Sequence, residues 1–143
     1  MAIQAWHIMK EKISVTPETT AQDIALKMIS SGLAAIPVVN DRQEVLGLAT
    51  EQAVLGAIQQ GLDLEQFTAA SLAVKAPLTA DITTSPDDLI RMMVKHNCCS
   101  VVTILNSGKY AGVVSRHMLM DIYTSPHYAR FAQKDRKAPF VCL

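Results

Sequence analysis

The chain has 143 residues, half of them hydrophobic, which suits one compact domain or two small halves sharing a core. Its 13 basic and 13 acidic residues balance, and without a long basic run nucleic acid is not expected as a partner. No apolar stretch approaches the roughly 18 residues of a membrane helix, so no membrane association is expected. The start lacks the apolar centre of a signal peptide, and three cysteines cannot all pair, so we predict a cytoplasmic protein with reduced thiols.

The first strongly predicted element is an amphipathic helix. Thr20 is placed to cap its start, and Gly32 supplies the left-handed residue that ends it. Two apolar runs, "AIPVVN" and "VLGLAT", flank a polar turn and predict a β-hairpin, which leads into a second helix ending at Gly61. The apolar residues of the first helix recur at the spacing of one face, and they are Ala21, Ile24, Ala25, Met28 and Ile29.

The same order of elements follows further along the chain. Ser85 is placed to cap a helix and Pro86 fits its first position, where a missing N–H is harmless. The runs "CSVVTIL" and "YAGVVS" predict a second hairpin, followed by a helix that ends before Ser125. An extended piece precedes the first helix of each half, "KISVTP" and "APLTAD". The predicted apolar face of the third long helix comprises Leu89, Ile90, Met93 and Val94.

An internal repeat relates the two halves at a constant offset of 65 positions, with no gap. One half alone leaves an apolar sheet face uncovered, so the halves are expected to pack on each other. We predict an α/β (α+β) fold in which two tandem βαββα repeats form one pseudo-twofold module. The matched pairs are Asp23 with Asp88, Met28 with Met93, Gly47 with Gly112, and Thr50 with Ser115.

The segments "MKEKISVTPETTAQDIALKM", "IPVVNDRQEVLGLAT" and "GVVSRHML" resemble a tandem pair of cystathionine-β-synthase (CBS) domains, the arrangement called a Bateman module. The resemblance runs from about Ile8 to Tyr123, and the second copy has Val102 where the first has Pro37. It implies a stand-alone regulatory module, commonly a homodimer, rather than an enzyme. The predicted boundaries are 1–61 for the first repeat with an N-terminal helix, 62–71 for a linker, 72–124 for the second repeat and 125–143 for a C-terminal tail.

Each hairpin ends in a hydroxyl residue at the start of a helix, Thr50 in the first half and Ser115 in the second. Such a corner presents unpaired backbone N–H groups at a positive helix end, which suits a phosphate or a ribose hydroxyl. Arg116 and His117 directly follow Ser115 and can add charge-assisted contacts, whereas no cation follows Thr50. We therefore expect a phosphate to prefer the second corner.

The resemblance implies an adenosine-type ligand, such as AMP, ADP, ATP or S-adenosylmethionine, with no required cofactor. The family pattern has an acid three positions after the hydroxyl, and Ala53 and Met118 stand there instead. Because hydrogen bonds to charged groups contribute about 1.5–3 kcal/mol each, this loss predicts weaker binding of the ribose. The other residues that the resemblance assigns to the ligand site are Ser14, Leu33, Ala35, Thr79, Cys98 and Ser100.

Other interpretations remain open. Thr50 and Ser115 also fit helix caps that touch no ligand, which would leave a dimerisation or partner-docking module. Cys98 and Cys99 match no zinc spacing, and redox sensing through them is a third hypothesis. The sequence shows no nucleophile with a base, so catalysis is not predicted. Any signal is expected to pass to a separate effector protein or to arise in the dimer itself.

Overall fold

The computed structural model describes residues 2–72, 76–96 and 100–125. Cys98, Cys99 and the tail from residue 126 onward lie outside these ranges. The described elements, in chain order, are α1 (Ala5–Ile8), α2 (Ala21–Ser31), β1 (Ala35–Val39), β2 (Val45–Thr50), α3 (Glu51–Gln59), β3 (Thr79–Asp81), α4 (Pro86–His96), β4 (Val101–Asn106), β5 (Lys109–Ser115) and α5 (Arg116–Thr124).

The strands form two small sheets with matching connectivity. In the first half β1 pairs antiparallel with β2, and Val15 makes a parallel bridge to Val38 at the edge of the hairpin. In the second half β3 pairs parallel with β4, and β4 pairs antiparallel with β5. The predicted mixture of helices and strands, with one hairpin in each half, is confirmed.

Both faces of each hairpin are buried. One face of the first hairpin packs under α2 and α3, and the corresponding face of the second packs under α4 and α5. The opposite faces meet in a shared core, where Leu33, Ala35 and Leu48 contact Val101 and Val113. Burial on both faces explains why the run Ala35–Val39 is apolar throughout rather than alternating.

The predicted caps of the long helices are confirmed. The Thr20 hydroxyl accepts a hydrogen bond from the Asp23 N–H at 3.2 Å, and Gly32 ends α2 with φ +73°. The Ser85 hydroxyl does the same for the N–H of Asp88, also at 3.2 Å. Because each bond joins residues three apart, short stretches of sequence suffice to predict it.

Two members of the predicted helix faces are wrong. Ile29 is 79% exposed and Val94 is 66% exposed. Each follows a fully buried residue, Ile24 or Leu89, by five positions, which is about 140° around a helix. The apolar pattern was therefore wider than the stripe that the sheet covers, and these two side chains lie outside it.

The gap-free repeat is wrong at β4. Ala35 pairs with Thr50, but the partner of Ser115 is Val101 rather than Ser100, so β1 and β4 are related by an offset of 66. The turn of the second hairpin is one residue shorter than the turn of the first, so β2 and β5 are again related by an offset of 65. Because both faces of these strands are buried, their apolar runs lack the alternation that would have revealed the shift.

This shift places Thr103, not Val102, at the position of Pro37. Pro37 pairs with Leu48 in the first hairpin, and Thr103 occupies the corresponding place in the second. The Thr103 N–H donates to the carbonyl of Leu78 at 2.8 Å, a bond that a proline has no N–H to make. The Thr103 hydroxyl is fully buried and has no hydrogen-bond partner among the described residues.

The N-terminal segment packs on the second half of the molecule. Ala5 is fully buried in the second-half core, and its N–H donates to the Thr84 carbonyl at 2.7 Å. Lys10 then pairs with Val113, where a Cβ on Gly112 would lie 2.8 Å from the Lys10 carbonyl oxygen. The segment 62–72 covers the first half in a similar way, through the Phe67 carbonyl and the N–H of Ala21 at 2.7 Å. The repeat boundaries given above stay predictions.

The two halves are also joined at the edge of the shared core. Tyr110 lies on β5, and its hydroxyl donates to the carbonyl of Ile13 in the first half. Its backbone N–H donates to the carbonyl of Gln43 in the first hairpin turn at 2.8 Å. Burial raises the pKa of Tyr110 to about 12, so the phenol stays neutral at physiological pH.

Candidate functional site

Both predicted corners have the same backbone path. The Thr50 hydroxyl accepts from the N–H of Ala53 at 3.2 Å, and the Ser115 hydroxyl accepts from the N–H of Met118 at 3.1 Å. The first N–H of each helix donates to the residue just before the neighbouring strand. The Glu51 N–H donates to the Ala34 carbonyl at 2.9 Å, and the Arg116 N–H donates to the Ser100 carbonyl at 3.1 Å. Each hydroxyl is thus a helix cap at the end of a hairpin.

The second corner is filled by its own side chain. Met118 folds back over the start of α5, and its sulfur accepts a hydrogen bond from the Ser115 N–H at 3.5 Å. The thioether packs against both the second-half core and the shared core. Ser115 itself is buried, with 8% of its surface exposed. A ligand that contacts the Ser115 N–H must therefore displace the Met118 thioether.

The first corner is open. Ala53 stands where Met118 stands in the second half, and beside it lies a groove of about 450 Å³ between α3 and the segment 62–72. We call this space the α3 groove. It begins at the corner and runs along α3, and its lining residues are Thr50, Gln52, Ala53, Gly56, Ala57, Gln60, Leu62, Phe67, Ser71 and Leu72.

The predicted phosphate-binding cations lie at the surface. Arg116 and His117 occupy the first turn of α5, and both are exposed. They directly follow the buried Ser115 at the positive end of the helix, where an anion is favoured. This arrangement offers a phosphate the exposed guanidinium of Arg116 and the exposed imidazole of His117 outside the corner rather than a closed pocket.

The remaining predicted ligand residues are distributed over both halves. Leu33 and Ala35 are buried in the shared core, at 3% and 1% exposure, with Met118 packed against the same cluster. Ser14 is half-buried, and its carbonyl accepts from the Lys27 ammonium at 2.9 Å. Thr79 is exposed on β3, Ser100 is half-buried before β4, and Cys98 lies outside the described residues.

Sequence reasoning missed the far wall of the α3 groove. Leu62 and Phe67 belong to the stretch 62–71, which the sequence identified only as a linker, and Leu72 is the first residue of the predicted second repeat. The sequence of this segment is rich in apolar residues, and that composition could have indicated that the segment covers a core. Gln60 was not predicted as a site residue either, because a carboxamide near a helix end is usually at the protein surface.

The described part of the chain contains neither a candidate metal site nor a candidate membrane-spanning helix. Within residues 2–72, 76–96 and 100–125, no three His, Cys, Asp or Glu side chains are grouped so as to hold a metal ion. In the same ranges, no helix combines the length and the apolar character needed to cross a membrane.

The chain is similar in sequence to proteins from other organisms. Two uncharacterized proteins are related in sequence: one from Methanopyrus kandleri is 23% identical over 114 residues, and one from Helicobacter pylori is 22% identical over 108 residues. These alignments take in 79% and 76% of this chain but only 58% and 33% of the relatives, so the chain spans less than two thirds of either.

Solved structures share the fold. The CBS domain protein PAE2072 from Pyrobaculum aerophilum, complexed with AMP, has a TM-score of 0.70 at 22% identity and covers 92% of this chain and 99% of its own. CBSX2 from Arabidopsis thaliana has a TM-score of 0.71 at 15% identity, with 95% and 100% covered, and CBSX2 has also been solved with AMP. The CBS domain model matches residues 5–60 and 69–125, and the chain therefore belongs to the CBS domain family as a tandem pair.

Proposed function

We propose that this CBS pair is a regulatory module that binds an adenine nucleotide at a helix-capped corner and signals to a separate protein. The observation that carries the proposal is the duplicated corner itself, a hydroxyl-capped helix start at the end of each hairpin. Its support comes from PAE2072 and CBSX2, which share the fold and were solved with AMP. CBS-pair proteins are generally regulatory, and we assign this one the same role rather than catalysis.

We place the phosphate at the second corner. Arg116 and His117 lie exposed in the first turn of α5, where the helix dipole and the Arg116 guanidinium favour an anion and the His117 ring can donate a hydrogen bond to it. Met118 covers the Ser115 N–H, so binding there requires the thioether to move out of the shared core. That movement would couple ligand binding to the packing between the halves, which is the kind of two-state change that a partner can sense.

Thermal unfolding with AMP, ADP, ATP and S-adenosylmethionine tests the proposal. A ligand at 100 times its dissociation constant adds about 2.7 kcal/mol of stability, which raises the melting temperature by several degrees. We expect Arg116→Ala to remove the shift, because it deletes a cation and leaves the Ser115 cap intact. Ser115→Ala should remove it too, whereas Thr50→Ala, the matched loss of a cap in the first half, should keep it. No shift of the wild-type protein with any of the four would contradict the proposal.

A second function, dimerisation or partner docking, is favoured by apolar side chains on the outer faces of the helices. Ile29 and Val94 are exposed at equivalent positions of the two halves, and so are Leu55 and Met120. Exposed apolar patches on both halves are typical of interaction surfaces. A twofold-related second copy presents the same surfaces and can cover them together, so we propose a homodimer formed through these helices. The exposed apolar residues of α2 to α5 are Leu26, Ile29, Leu55, Ile58, Val94 and Met120.

Sedimentation equilibrium tests the dimer. We expect the wild-type protein to have twice the mass of one chain and the double variant Leu55→Glu, Met120→Glu to be monomeric, since two carboxylates would enter the apolar surface of each copy. Gln66→Glu, an exposed change outside the helices α2 to α5, is the control and should remain dimeric. A monomeric wild-type protein would overturn this assignment.

A further inference from the structure

The thioether of Met118 lies where its packing and its polar contact both depend on an unmodified sulfur. The sulfur accepts a hydrogen bond from the Ser115 N–H at 3.5 Å. The same side chain packs against both the second-half core and the shared core. Met118 is nevertheless only half-buried, whereas Met28 and Met93 are buried at 7% and 8% exposure. Part of this residue is therefore in contact with solvent although its side chain belongs to two cores.

Among the methionines that the structure describes, Met118 alone packs in the shared core between the halves. Met28 belongs to the first-half core, and Met120 is 58% exposed on the outer side of α5. The other described methionines of the second-half core are Met9, Met92 and Met93. A chemical change of the Met118 sulfur is therefore the one that acts directly on the packing between the two halves.

A thioether is oxidised to a sulfoxide by peroxides. A lone pair of the Met118 sulfur attacks one oxygen of hydrogen peroxide, the O–O bond breaks and an S–O bond forms. The displaced hydroxide takes up the proton of the transferred oxygen, so the products are methionine sulfoxide and water. The sulfur loses two electrons and the peroxide gains them. The product side chain is polar where the thioether was apolar.

The sulfoxide oxygen does not fit beside the sulfur as the side chain now lies. An N–H···O bond is about 2.9 Å long, and with the usual lone-pair geometry the added S–O bond moves the sulfur farther from the Ser115 nitrogen than its present 3.5 Å. Turned towards the shared core instead, the oxygen would lie among Leu33, Val101 and Val113, whose side chains have no hydrogen-bond donor. In both cases the side chain must leave its present position.

We infer that Met118 is a modification site, at which hydrogen peroxide forms methionine sulfoxide and thereby loosens the packing between the two halves. Neither the oxidation nor the change in packing requires a ligand, so the site is independent of the proposed nucleotide corner. The corresponding residue of the first half is Ala53, which has no sulfur to oxidise. The response therefore arises at the second corner.

Treatment of the full chain with hydrogen peroxide and then with a thiol reductant tests this inference. The reductant returns cysteine disulfides and sulfenic acids to thiols and leaves methionine sulfoxide in place. We expect fragment-ion mass spectrometry to locate an added oxygen on Met118, and thermal unfolding to show a melting temperature lowered by about 3–8 °C. The Ser115 N–H should exchange faster with solvent, because its acceptor has moved. Methionine sulfoxide reductases should restore the melting temperature.

Three variants separate Met118 from the other oxidisable side chains. Met118→Leu removes the sulfur and nearly conserves the volume, so its melting temperature should not fall on treatment. Met120→Leu, which removes an exposed thioether two residues further along α5, should respond as the wild-type protein does. Met118→Gln places a polar group at the same position and should have a lowered melting temperature without any oxidant.

Three results would overturn the assignment. The first is a Met118 sulfur that stays reduced while Met120 is oxidised. The second is a Met118 sulfoxide that forms without changing the melting temperature or the exchange of the Ser115 N–H. The third is a treated Met118→Leu protein that loses as much stability as the treated wild-type protein, which would place the effect at the cysteines or at another methionine.

Discussion

At both corners a hydroxyl caps a helix, but three residues later the side chain is a methyl group at Ala53 and a thioether at Met118. The methyl group leaves the α3 groove open, whereas the thioether covers the Ser115 N–H and packs into two cores. The side chain at this position is therefore one of the features that make the two corners differ in open space. The two corners share a hydroxyl cap and differ in the volume of the side chain three residues later.

The largest expected effects come from removing one core side chain from each half, which tests whether the two halves unfold together. Ile24→Ala and Leu89→Ala delete equivalent, fully buried side chains, and each should lower the free energy of unfolding by about 2–5 kcal/mol. Because the halves share the core formed by Leu33, Ala35, Leu48, Val101 and Val113, urea unfolding should remain a single transition in both variants. Two separate transitions would show that the halves fold independently.

Exchanging the residues at the two corners tests the role of Met118 directly. Met118→Ala should cost about 2 kcal/mol, since it removes a partly buried side chain from two cores. Ala53→Met should change stability by less than about 1 kcal/mol, because the added atoms can enter open space. Urea titration of both variants measures the difference, and equal costs would contradict the contrast drawn between the corners.

The attachment of the N-terminal segment is specific to the second half and depends on a glycine. Gly112→Ala should destabilise the protein by about 1–3 kcal/mol, because the new Cβ would lie 2.8 Å from the Lys10 carbonyl oxygen. Gly56→Ala is the control of opposite sign and should stabilise α3 by about 0.5–1 kcal/mol, since nothing lies within 4 Å of its Cβ. Thermal unfolding gives both values. A neutral Gly112→Ala would mean that the segment is not held at this point.

The two caps should contribute similar amounts. Thr50→Ala and Ser115→Ala should each cost about 1 kcal/mol, because each leaves one N–H at a helix start without its acceptor. Thr50→Ser keeps the hydroxyl and should retain most of the stability. If Thr50→Ala has no effect while Ser115→Ala does, the first corner is not a working cap.

Removal of the buried Thr103 hydroxyl should increase stability. Thr103→Val replaces a fully buried hydroxyl, unpartnered among the described residues, with a methyl group of similar shape, and should stabilise the protein by about 1 kcal/mol. The reverse change at the neighbouring buried position, Val101→Thr, should be destabilising. A loss of stability in Thr103→Val would indicate that the hydroxyl has a bonding partner in solution.

Much of the fold could be predicted because its signals are local. The caps at Thr20, Thr50, Ser85 and Ser115 each depend on residues three positions apart, and the turn at Gly32 depends on one φ angle. The shift of β4 could not be predicted, because a strand buried on both faces has no alternation to mark its phase.

In the candidate site, too, local features could be predicted from the sequence and long-range contacts could not. The sequence was sufficient to predict the helix caps at Thr50 and Ser115 and to identify the basic residues Arg116 and His117 beside the second cap. It also showed that both family acids are missing, since each of these features depends only on residue type and spacing. Which corner is open depends instead on where the Met118 thioether packs and on the segment 62–72 lying against α3. Those contacts join residues far apart in the chain, and a one-dimensional pattern carries no information about the space between them.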